Sequence, residues 1–126
     1  MNIASYLHAR LRGRKCRPYD SDTKVRIRLP KQFRFYHPDA QVTCRPNSRD
    51  DSFQDDPSVI VEVLSKTTRR IDEGEKKDAY LTIPSLCAYI LVEQETPAVI
   101  VFRRTEHGMG FGLKFAFRHW ARGMAG

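Results

Sequence analysis

The chain reads as a mixed α/β domain: a small β-sheet with parallel and antiparallel strands, flanked by helices. Three observations predict it. Ser58-Val59-Ile60-Val61-Glu62-Val63-Leu64-Ser65 is a Val/Ile-rich run of the kind a strand covered on both faces carries. Leu86-Cys87-Ala88-Tyr89-Ile90-Leu91-Val92 is a second such run, and a helix expected from about 70 to 82 separates the two, which makes them parallel neighbours joined by a crossover. Lys24-Val25-Arg26-Ile27-Arg28-Leu29 alternates strictly, with Val25, Ile27 and Leu29 on one face and three cations on the other.

In chain order, Ile3, Tyr6, Leu7 and Leu11 fall at helical spacing, which predicts a short amphipathic helix over 2–12 ended near Gly13. The basic strand follows, and Phe33 and Phe35 continue its alternation toward Pro38-Asp39. Ala40-Gln41-Val42-Thr43-Cys44 is the next strand-like run. Residues 45–57 gather Pro46, Asn47, Ser48, Pro57 and four Asp residues, the composition of a loop. After the strand that holds Glu62, Thr67, Thr68 and Asp72 offer N-cap chemistry for the crossover helix. Ala98-Val99-Ile100-Val101-Phe102 is a further strand, reached through a turn at Thr96-Pro97. Five of the seven Gly residues lie in 108–126 among Phe111, Leu113, Phe115, Phe117 and Trp120. Alternation there suits an edge strand and the glycines weaken it, so 108–126 is set apart as an atypical tail to the 1–107 domain.

At 126 residues the chain holds one modest core. No stretch approaches the roughly 18 apolar residues of a membrane span, and residues 1–7 lack the form of a secretory signal; a cytoplasmic protein without a membrane partner is expected. Cys16, Cys44 and Cys87 are odd in number and widely spaced, which predicts reduced, mostly buried thiols. The net charge of +7 is lopsided: residues 1–36 carry ten Lys/Arg against two Asp, the remainder twelve against thirteen acids. A polyanion would suit Lys24, Arg26, Arg28 and Arg34; a solvated face is the alternative.

Glu62 is the informative residue, because an unpaired carboxylate in a buried strand costs several kcal/mol. Phosphodiester hydrolysis uses a hard cation held by one or two carboxylates and a carbonyl. Asp39 and Glu62, on neighbouring strands, with the Val63 carbonyl beside them, meet that need with Mg²⁺ or Mn²⁺. A lysine can then orient the phosphate. Asp72, Lys76 and Tyr80 share a helical face at i, i+4 and i+8, while Lys77 points about 100° away. Plain readings stand beside these: Glu62 at a wet edge, Asp39 as a turn former, Lys76 as a solvated lysine, Tyr80 as packing. Ser65 suits a turn, and of four His residues only His37 adjoins the site.

Tyr36-His37-Pro38-Asp39-Ala40, then Val61-Glu62-Val63-Leu64-Ser65 with Thr67-Thr68-Arg69, then Asp72, Gly74-Glu75-Lys76, Ala79-Tyr80-Leu81 and Tyr89-Ile90-Leu91-Val92 occur in that order. Together they resemble the PD-(D/E)XK nuclease superfamily, and within it the Uma-two-type family of restriction endonucleases, over roughly residues 3–107. The resemblance implies a restriction-endonuclease-like core in αβββαβ order, and a metal-dependent DNA endonuclease with Asp39 and Glu62 as metal ligands and Lys76 as the catalytic or phosphate-orienting lysine. A homodimer stays open. The chain departs from the pattern at Leu64, where the superfamily has its strand lysine. A leading hairpin is missing and the family-like text stops near Gly108. A truncated gene product would account for both ends, and the alternative function is then a nuclease fold that binds nucleic acid without cutting.

Overall fold

The computed structural model describes residues 15–65, 74–94, 98–105 and 108–116. In chain order its strands are β1 (Arg17–Asp20), β2 (Lys24–Arg28), β3 (Phe33–Tyr36), β4 (Ala40–Thr43), β5 (Phe53–Gln54) and β6 (Pro57–Leu64). A helix, α1 (Glu75–Tyr80), precedes β7 (Ala88–Glu93), β8 (Ala98–Thr105) and β9 (Gly108–Ala116). Six strands form one sheet in the order β1-β4-β6-β7-β8-β9, and three form a second in the order β3-β2-β5.

Within the large sheet β6 and β7 are parallel and the other neighbours antiparallel. The parallel pair is the one expected from the two apolar runs, and α1 lies in the connection between them. Its helix is shorter than the 70–82 segment. It opens after Gly74, with no side-chain cap, and closes as the Leu81 N–H bonds the Lys77 carbonyl at 2.9 Å and the Thr82 hydroxyl donates to the Ala79 carbonyl at 2.6 Å. Pro84 then bars a further turn. Among the described residues this is the one helix, so the expected flanking by helices is not seen there; the 2–12 helix and Asp72 lie outside the described residues.

Alternation along β6 assigns its side chains to two cores. Ile60 and Leu64, with Tyr89 and Leu91 of β7, face one side and pack against Val25 and Ile27 of the small sheet and Ala79 and Tyr80 of α1. Val61 and Val92 face the other, with Ala40. Each such side chain, fully buried, contributes roughly 1.5–3 kcal/mol. The first core is closed by aromatic contacts that run Tyr36, Tyr80, Tyr89, Phe102, with centroids 5.3–6.2 Å apart. Arg104 staples the connection after α1, donating to the Leu86 carbonyl at 2.7 Å and the Ile83 carbonyl at 2.9 Å.

Three expectations are corrected. The segment 45–57 contains β5, because Phe53 and Gln54 pair in parallel with Lys24 and Val25. Residues 108–116 form β9, hydrogen-bonded along β8 at the sheet edge, so the alternation there outweighs the glycines. Cys16 and Cys44 are joined in a disulfide, and Cys87 is a free, exposed thiol. The bond is invisible in a spacing of 28 residues, yet the register that sets Arg17 opposite Thr43 brings Cys16 alongside Cys44.

Candidate functional site

The register of β4 on β6 builds the site. Ala40 lies opposite Val61, so the residue before it, Asp39, reaches β6 beside Glu62 and Val63. Pro38, buried, and the bend after it turn the chain from β3 into β4 here. The exposed Asp39 carboxylate accepts a hydrogen bond from the Val63 N–H at 2.7 Å. Glu62 is only 4% exposed and shares the Ile60 and Leu64 side of β6, which α1 covers. From that helix the Lys76 ammonium lies 3.6 Å from Glu62 Oε2 and 5.6 Å from the Tyr36 ring centre. The buried strand carboxylate is therefore met by a cation, and Lys76 is the lysine that meets it.

The neighbouring lysine goes elsewhere: Lys77 Nζ sits over the Phe102 ring at 5.1 Å. Tyr80 is fully buried, its ring packed at a tilt between those of Tyr36 and Tyr89. Ser65 is half-buried at the end of β6. His37 is exposed and its Nδ1 bonds the Ser21 carbonyl at 2.8 Å, which makes that nitrogen a donor tying down the turn before β2. Among the described residues no group of three or more His, Cys, Asp or Glu side chains is arranged to hold a metal.

The basic strand is partly spoken for. Arg26 makes a bidentate pair with Asp55 at 2.7 and 2.8 Å and lies over the Phe53 ring at 4.2 Å. Its hydrogen bond with Asp55 raises the guanidinium pKa, and the same bond holds the Asp55 carboxyl below its ordinary value, helped by Asn47. Arg34 bonds Glu75 at 3.3 Å and the Tyr36 hydroxyl at 3.4 Å, which keeps it near the Lys76 end of α1. Lys24 lies over Phe35 at 5.2 Å. Arg28, 3.9 Å from Asp55, leaves its side chain 69% exposed.

Two residues near the site escaped sequence reasoning. Tyr36 was only part of a family-like string, yet its ring carries both Lys76 and Tyr80. Glu93, 5% exposed, ends β7 opposite Leu64, on the Glu62 side of the sheet. One more step of the alternation past Val92 would have found it.

The family model described as "Uma2: Putative restriction endonuclease" matches residues 1–111. Two proteins of Synechocystis sp., slr1290 and sll1609, are similar at 32% identity over 78% of this chain and 29% over 74%. The chain spans about half the length of these curated relatives, 51% and 53%. Its fold resembles the crystal structure of a protein from Anabaena variabilis described as a "putative nuclease belonging to DUF820", with a TM-score of 0.67 at 14% identity over 92% of this chain and 66% of the other. A likeness at that identity concerns the fold, and the fold is restriction-endonuclease-like, as expected. The expected αβββαβ order is not seen among the described residues, where six strands precede the helix and three follow it. With a family model covering nearly all of its length, the chain belongs to the Uma2 family of restriction-endonuclease-like proteins.

Proposed function

We propose that this chain is a divalent-metal-dependent DNA endonuclease, hydrolysing phosphodiester bonds with Asp39, Glu62 and Lys76. The observation that carries the reading is the meeting of Asp39 with β6 beside Glu62, through the 2.7 Å bond to Val63 N–H, while Lys76 stands 3.6 Å from Glu62.

The donors fit a hard cation. Asp39 and Glu62 offer carboxylate oxygens, and the Val63 carbonyl lies on the same strand edge as the N–H that bonds Asp39. Few protein ligands with the remainder water is the habit of Mg²⁺ or Mn²⁺. Such an ion, when bound, supplies charge on the phosphoryl oxygen and a more acidic water. In this reading the chain's own residues do the rest. Asp39 is oriented by β6, Glu62 is paired with Lys76, and Lys76 steadies the phosphate's developing charge. Ser65 and Tyr80 support the site from the end of β6 and from α1.

Supercoiled plasmid with Mg²⁺ tests it. The parent is expected to nick the plasmid, and Asp39→Asn and Glu62→Gln to lose both nicking and saturable metal binding. Nicking that survives both substitutions would reject the site. A parent that binds DNA and never nicks it would leave the binding-only alternative.

A further inference from the structure

We propose that the outer face of the small sheet, carrying Phe33, Phe35 and Phe53 with Lys24 and Arg28, is a platform for unpaired nucleotides of a single-stranded nucleic acid. Alternation sends Val25 and Ile27 inward, 0% and 1% exposed, so the even-numbered β2 residues and the odd-numbered β3 residues face outward. The register then sets Arg26 opposite Phe35, Arg28 opposite Phe33 and Lys24 opposite Phe53. Three phenyl rings and three cations are interleaved on one solvent-facing surface.

Phe33 is 56% and Phe35 46% exposed, a high outlay of apolar surface on residues that the core does not use. The cations hold the rings in place: Arg26 lies 5.0 Å from the Phe33 centre and 4.2 Å from Phe53, and Lys24 lies 5.2 Å from Phe35. Asp55 engages Arg26 from the side, so that guanidinium serves as a fixed support. Asp55, with Asp51 acting on Arg26 as well, offsets part of the charge of the three cations, and Arg28 projects its own into water.

An apolar patch alone would suit another protein. Positive charge among exposed rings suits a polyanion with accessible π-faces, and a single strand offers those where a duplex hides them. The platform also adjoins the site. β3 is an edge strand of the small sheet, and its other side brings Arg34 to Glu75 and Tyr36 to Lys76. Phe35 and Asp39, four residues apart, are separated by at most about 14 Å. A strand crossing the β3 edge would pass from the rings to the carboxylates. The purpose of the platform rests on the nuclease reading; its binding does not.

Anisotropy of a labelled oligothymidylate, in EDTA, against a labelled duplex of equal length tests the proposal on the full chain. The parent is expected to prefer the single strand. Phe33→Ala and Phe35→Ala should each weaken it by about 5- to 150-fold, the usual range for one lost stack, with the duplex little changed. Phe33→Tyr should retain binding and Phe33→Leu should not, since apolarity without a ring is then shown to be insufficient. Equal single-strand affinity in parent, Ala and Leu variants overturns the platform. So does a parent that self-associates in sedimentation and becomes monomeric as Phe33→Ala without change in nucleotide affinity, which makes the face an interface between copies. Plasmid nicking with Mg²⁺ on the same proteins separates the two readings. Nicking without Phe-dependent binding removes the platform alone; Phe-dependent binding without nicking removes the nuclease alone.

Discussion

Glu62 stands in a strand that buries Ile60 and Leu64 on the same side, and a carboxylate in that position is stable only if a cation meets it. Lys76 does so from α1, at 3.6 Å, while Lys77 lies over Phe102. The difference between two adjacent lysines is a matter of about 100° of helix rotation, and it yields a sharp prediction. Lys76→Ala should lower plasmid cleavage by about 10²–10³-fold, as loss of one electrostatic donor does. Metal affinity should survive, since an ammonium is no ligand. Lys77→Ala should cleave like the parent. Cleavage and metal titration of both variants check this, and damage confined to Lys77→Ala would reverse the assignment.

At the scale of elements, the β2–β5 pairing is held by Arg26, Asp55 and Asn47. The Asp55 carboxyl titrates lower in the folded chain than in the unfolded one, first because Arg26 donates to it and further because Asn47 does. The sign follows. A carboxyl lowered by folding adds stability at pH values above its unfolded pKa of about 3.9, and that stability is lost as pH falls through the lower folded value. Denaturant melts of the parent should therefore weaken below about pH 4. In Asp55→Asn the acid-side loss should be smaller and the neutral-pH stability lower, and equal slopes in the two proteins would deny the pair this role. The same pairing thins the basic face that the sequence displays, because Arg26 is already matched. Arg28 is the exposed member. If it contacts a phosphate, Arg28→Gln should reduce the slope of log K against log salt for duplex DNA by about 0.9, and an unchanged slope would leave Arg28 a solvated charge.

For the whole molecule, the Cys16–Cys44 bond fastens edge strand β1 to β4, the strand that Asp39 opens. Closing a loop of 28 residues stabilises a chain by roughly 3–4 kcal/mol through the entropy of the unfolded state. Cys16→Ser, or the parent under reductant, should lose about that much in urea titrations. If reduction leaves the midpoint unmoved, β1 is held by its ladder alone. The disulfide corrects the expectation that Cys16 and Cys44 are reduced thiols. Among the described residues no helix is long and apolar enough to cross a membrane.

The sequence by itself determined the family, the parallel β6–β7 pair with a helix between them, and the strands at 24–28, 40–43 and 98–102, because those segments carry their period and their branched side chains locally. It also singled out Asp39, Glu62 and Lys76, because a carboxylate inside an apolar run declares an unmet electrostatic need. Only the tertiary structure decided which partners meet. The 40–61 register brings Asp39 to the Val63 N–H, the packing of α1 on β6 sets Lys76 3.6 Å from Glu62, and strand pairing joins Cys16 to Cys44 and spends Arg26 on Asp55. Each is a contact between residues far apart in the chain, and no local period or composition records it. β5 follows the same physics: two residues in a polar loop become a strand because β2 supplies a pairing edge that no local pattern announces.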